Sequence, residues 1–86
     1  MSNPLHLTPQ KKYKVIKSFK DYDGTVHPIG ETWTFVGTNF VPYEDGLSVN
    51  IILENSTRET SYRLQWRAEE QGEIIEHFGE YVEMIR

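Results

Sequence analysis

The sequence holds 86 residues, 37% of them hydrophobic and 26% charged, with a formal net charge of −4 and no cysteine. That bounds a single domain with a thin core and excludes disulfide scaffolds, thiolate chemistry, iron–sulfur clusters and cysteine zinc sites. No apolar run approaches the roughly 20 residues that span a bilayer. Residues 1–7 show neither the basic start nor the apolar core of a secretory signal, so a cytoplasmic protein with no membrane partner is expected.

The charge is unevenly divided. Residues 1–43 carry five Lys against Asp21, Asp23 and Glu31, a net +2, whereas residues 44–86 carry four Arg against ten acids, a net −6. A basic first strand lying beside an acidic last segment accounts for this; a basic face that steers a ligand is the alternative.

In chain order, residues 1–10 read as an arm in which Leu5 and Leu7 alternate as at a sheet edge. Residues 12–20 read as a strand with Tyr13, Val15 and Phe19 on one face and Lys12, Lys14, Ser18 and Lys20 on the other. Ile16 and Lys17 interrupt that alternation, which places the strand near an edge or twists it strongly. A long excursion follows over residues 21–30. Its Asp23-Gly24 pair signals a tight turn, Pro28 removes a ladder donor and Gly30 marks a second reversal. Residues 31–38 form the clearest strand, with Trp33 and Phe35 inward and a bulge or bend at Gly37. Phe40-Val41-Pro42-Tyr43 leads into the turn Glu44-Asp45-Gly46. Leu47, Val49, Ile51 and Leu53 then face the core with Ser48 and Asn50 outward, and Asn55-Ser56-Thr57 turns the chain. Tyr62, Leu64 and Trp66 alternate inward against Arg63, Gln65 and Arg67. Over residues 68–78 the period becomes helical, with Gly72 weakening the helix by up to about 1 kcal/mol and Gly79 suited to its C-terminal cap. Residues 81–85 read as a closing strand.

This order predicts an all-β domain over residues 11–86: a small five-stranded SH3-like antiparallel barrel with a short helix before the last strand. An OB-fold fits less well, because its helix normally lies between the third and fourth strands.

Several runs also resemble one family pattern. They are Asp21-Tyr22-Asp23-Gly24; His27-Pro28-Ile29-Gly30-Glu31-Thr32-Trp33-Thr34-Phe35; Pro42-Tyr43-Glu44-Asp45-Gly46-Leu47; Arg63-Leu64-Gln65-Trp66; and Glu70-Gln71-Gly72-Glu73-Ile74. Together they resemble a small bacterial family, Domain of Unknown Function 3601, across roughly residues 11–85. The resemblance implies no activity, and its motifs are mostly turns and core aromatics.

No constellation for catalysis converges. His6, His27 and His77 are isolated, and Asp21, Asp23 and Gly24 lack the spacing of a calcium loop, so no metal or cofactor is expected. A hydrogen bond that braces the loop is the expectation for His27 beside Asp21 and Asp23. The paired carboxylates fall on turns and a helix surface rather than in a closed pocket, and no nucleophile elbow or phosphate loop occurs. The expectation is therefore a non-enzymatic module that binds a protein or peptide. Its candidate site is the aromatic and acidic loop set Asp21, Tyr22, Asp23, Tyr43, Glu44 and Asp45, which suits a basic or proline-containing segment. Two alternatives stand beside it. One is RNA binding through the Lys-rich first strand and a sheet face bearing Arg63 and Arg67; the other is a small toxin-neutralising, immunity-type protein. Tyr13, Phe19, Trp33, Phe35 and Trp66 are expected to fill the core.

Overall fold

Alternation of apolar and polar residues makes the strands. In the computed structural model, which describes residues 5–41, 43, 45–67 and 69–85, they are β1 (Lys12–Val15), β2 (Phe19–Lys20), β3 (Val26–His27), β4 (Thr32–Val41), β5 (Gly46–Leu53), β6 (Glu59–Gln65) and β7 (Val82–Met84). One helix, α1 (Gly72–Glu76), and a 3₁₀ turn over Phe78–Glu80 precede β7. Five strands form one antiparallel sheet in the order β6-β5-β4-β1-β7, and β2 and β3 form a separate two-stranded ribbon. The five-stranded antiparallel sheet and the short helix before the last strand are as expected. The sheet is not closed, however: β6 and β7 are its two edges.

β4 organises the sheet. Its first half pairs with β1 (Tyr13 opposite Trp33) while its whole length pairs with β5, and the register shifts between Phe35 and Gly37, where a bulge was expected. Trp33, Phe35, Leu47, Val49, Ile51, Tyr62 and Leu64 pack inward with Tyr13, Val15 and Phe19. The N-terminal arm joins them. Leu5 and Leu7 are buried in the same cluster without forming a strand, and the Thr8 N–H donates to the Tyr13 hydroxyl at 2.8 Å.

Five local expectations change. The strand expected over residues 12–20 splits into β1 and β2. The chain leaves the ladder at Ile16 and Lys17, whose N–H groups both donate to the Tyr81 carbonyl. The inward alternation of β6 ends at Leu64. Gln65 is buried, and Trp66, expected in the core, is 37% exposed. The Gln71 side-chain oxygen explains the break, because it accepts from the Gln65 N–H at 3.0 Å and turns the chain there. Leu53 lies exposed at the end of β5. The helix expected over 68–78 is shorter, and Ala68 lies outside the described residues, as do Pro42 and Glu44. Gly79 sits inside the 3₁₀ turn rather than at a left-handed cap. Gly72 has a steric reason: a Cβ there would lie 2.7 Å from the Arg67 carbonyl oxygen, to which the Gly72 N–H donates.

Candidate functional site

The excursion between β1 and β4 builds a buried polar cluster. Gly24, at φ +91°, turns the chain tightly enough for its N–H to reach the Asp21 carbonyl at 3.0 Å. The Thr25 N–H then donates to Asp21 Oδ1, also at 3.0 Å. This aims the other oxygen of Asp21 inward at His27, with which it makes a 2.8 Å contact between Oδ2 and Nε2. On the far side of the ring, His27 Nδ1 lies 2.8 Å from Glu31 Oε1, which also accepts the Trp33 indole N–H at 3.1 Å. Asp21 and His27 are only 3% and 6% exposed. The ring is thus held between two carboxylates, one at each nitrogen. Phe19 stacks on one side of His27, with centroids 4.8 Å apart, and the Tyr62 ring lies at 4.3 Å.

The cluster clamps the β2–β3 ribbon to the head of β4. Both imidazole nitrogens are engaged within the cluster. The loop-bracing bond expected of His27 is present, with Glu31 as a second partner.

A recess of about 240 Å³ opens beside the cluster, with Asp21, Asp23, Glu31, Thr60, Ser61 and Tyr62 among its lining residues. The Tyr62 hydroxyl is fully buried and has no hydrogen-bond partner among the described residues. Burial pushes this phenol well above its ordinary value of 10.0, and the charges of Glu31 and Asp21 add to the effect. Asp23 stands at the rim, with Arg63 Nη2 3.8 Å away, and the Tyr22 N–H donates to the Arg63 carbonyl at 2.7 Å.

A second cluster lies where β4 turns into β5. The Asp45 carbonyl accepts the Trp66 N–H at 2.8 Å, and its carboxylate accepts from Arg67 Nε at 3.3 Å. Phe40 packs edge-on against Trp66 with centroids 6.0 Å apart. The Trp66 indole N–H donates to Glu76 at 3.3 Å, and Tyr43 is 96% exposed.

The eight expected site residues therefore fall into two groups. Tyr22, Asp23 and Arg63 meet at the ribbon; Asp45 and Arg67 meet at the β4–β5 turn, beside Tyr43. Glu44 lies outside the described residues. Arg63 lies within β6, whereas Arg67 lies beyond its end, past the turn at Gln65. Asp21, expected at an accessible loop, is instead an interior ligand of His27. The Arg-bearing sheet face shrinks to Arg63 opposite Ser48, since Gln65 turns inward and Arg67 lies past the end of β6. Sequence reading missed Glu31, Trp33 and Tyr62 as partners of this cluster and Phe40 with Trp66 as an exposed pair. The four-residue spacing of His27 and Glu31 around Pro28 and Gly30 was the available signal. Among the described residues, no group of three or more His, Cys, Asp or Glu is arranged to hold a metal, and no helix is long and apolar enough to cross a membrane.

A family model described as a domain of unknown function, DUF3601, matches residues 6–86. Among solved structures, an integron cassette protein from the mobile metagenome of Vibrio cholerae, VCH_CASS4, is similar. The identity is 36%, the TM-score is 0.89, and the match covers 99% of this chain and 92% of that one. No curated protein matches.

Proposed function

We propose that this chain, which belongs to the DUF3601 family, is a non-enzymatic binding module whose partner is a protein or peptide. The reading is carried by the apolar surface at one end of the sheet, where Phe40, Val41, Tyr43 and Trp66 are all exposed. Exposed aromatics in a group mark interaction surfaces more often than stray surface residues do. Glu73 and Glu76 share a recess with Trp66, and Asp45 holds the neighbouring Arg67, so the border of this surface is acidic. The chemistry that fits is a partner segment with an apolar face and basic flanks. An open five-stranded antiparallel sheet suits such a role, since its loops lie at the ends of the strands.

Nucleic acid is the weaker reading. Arg63 and Arg67 are each paired with a carboxylate, Asp23 and Asp45, so neither presents an unopposed charge to phosphate.

Affinity capture from the native cell tests the module, with wild type compared against the double variant Phe40→Ala/Tyr43→Ala. The expected result is a protein retained by wild type and lost by the variant at unchanged fold. Retention of RNA alone, with a steep salt dependence, overturns the reading.

A further inference from the structure

The recess beside the β2–β3 turn has the chemistry of a site for one basic side chain. Its volume, about 240 Å³, lies below the roughly 300 Å³ at which small-molecule pockets begin. It is therefore scaled to a single long side chain rather than to a cofactor. Tyr62, only 7% exposed, lines it and carries a buried hydroxyl without a partner among the described residues. Buried hydroxyls are almost always paired, so an unpaired one calls for an explanation. The hydrogen bonds to Glu31, from His27 Nδ1 and Trp33 Nε1, both fall on Oε1. Oε2 therefore carries none among the described residues, although the side chain retains 21% exposure. Among the described residues Asp23 at the rim meets only Arg63, at 3.8 Å, too long for a hydrogen bond.

The charges agree with this geometry. Three carboxylates, Asp21, Asp23 and Glu31, stand around one imidazole with Arg63 at the rim, so negative charge is in excess here among the described residues. Such a wall repels phosphate and attracts a cation.

We propose that this recess accepts the ammonium or guanidinium of a basic side chain presented by a protein partner. Glu31 Oε2 and Asp23 supply the counter-charge, the Tyr62 oxygen accepts one N–H, and Ile51 and Leu53 in the lining flank the methylene stem. The proposal rests on the binding-module reading and adds to it a charged anchor lined by residues other than those of the aromatic surface.

Titration of the full chain with N-acetyl-arginine-N′-methylamide and N-acetyl-lysine-N′-methylamide, followed by amide NMR shifts, tests it. N-acetyl-glutamine-N′-methylamide serves as the neutral control. The expected result is saturable shifts at Thr25, Thr60, Ser61 and Tyr62 with a cationic probe, at a Kd on the order of millimolar, and none with the glutamine probe. Asp23→Asn and Tyr62→Phe should each weaken the cationic probe about three- to tenfold, the scale of one lost charged hydrogen bond, with no fall in Tm for Tyr62→Phe. The proposal fails if no shift saturates by about 50 mM probe, if the glutamine probe shifts the same amides equally, or if Tyr62→Phe binds as wild type does. A failed titration alongside a captured partner whose footprint covers Phe40, Tyr43 and Trp66 removes the recess and leaves the module; a failed capture removes the module itself.

Discussion

The β4–β5–β6 meander and the β2–β3 ribbon are held by different forces. The meander rests on long ladders, with β4 and β5 in register from Trp33–Leu53 to Val41–Gly46, and on an apolar face that includes Phe35, Val49, Ile51 and Leu64. The ribbon has two register pairs, Phe19 with His27 and Lys20 with Val26. It stays in place because Asp21, His27 and Glu31 form a hydrogen-bonded chain and because Phe19 inserts among His27, Tyr62, Phe78 and Tyr81. A ladder keeps its main-chain bonds when one side chain is truncated. The clamp does not survive loss of its middle, since removing His27 strips the buried Asp21 and the half-buried Glu31 of the group between them.

The largest expected effect breaks the comparison at its sharpest point. His27→Ala should destabilise the domain by about 3–5 kcal/mol, the cost of stranding a buried charge. Phe35→Ala, a cavity in the meander, should cost a similar roughly 3–5 kcal/mol. Denaturant titration measures both, and native-state hydrogen exchange separates them. The His27 variant should lose protection first at Asp21, Thr25 and Tyr22, whereas the Phe35 variant should lose it throughout the sheet. Equal loss everywhere in the His27 variant shows that the ribbon is not a separate unit.

Gly72→Ala comes next, at about 1–3 kcal/mol, because the added methyl meets the Arg67 carbonyl carbon and oxygen. A rise in Tm instead would show that the Arg67 backbone yields. Tyr62→Phe should be neutral or stabilising by up to about 1 kcal/mol near pH 7, since it removes a buried hydroxyl without a partner. It should also change the alkaline limb. The folded phenol titrates above the unfolded one, so above about pH 10 the unfolded state binds fewer protons and stability falls as pH rises. That component should vanish in the Phe variant, and identical alkaline slopes for the two proteins would count against a buried phenol. Smallest of all, Arg63→Ala should cost less than about 1 kcal/mol, because its pairing with Asp23 is half exposed and screened by water.

The same contrast governs what the sequence revealed. Period-two alternation exposed the meander almost residue by residue. Asp23-Gly24 and Gly37 announced the turn and the bulge they make. The clamp was only half legible. The Asp21 bond to His27 follows from proximity in a loop, but Glu31 opposite it and Tyr62 above it depend on how β4 and β6 pass behind the ribbon, which local pattern does not encode. Trp66 was misplaced for a similar reason. Its inward phase was correct for a continuing strand, and the Gln71 side chain that stops the strand comes from six residues further along. Gly72 looked like a weakness when read as a helix residue, and only the approach of Arg67 reveals why it has no side chain.

The bond from the Tyr22 N–H to the Arg63 carbonyl also guards the sheet against other chains. β6 is an edge strand, and an edge with open N–H and C=O groups templates pairing with whatever strand it meets. The ribbon lies over part of that edge only while its charged clamp is shut. If the ribbon swings away, β6 presents a seven-residue edge with Tyr62 and Leu64 on one face, while the meander behind it stays intact. Loss of the clamp is therefore expected to raise self-association. A protein that loses it keeps its sheet but gains a sticky rim, so damage to the ribbon should appear first as aggregation and only afterwards as unfolding.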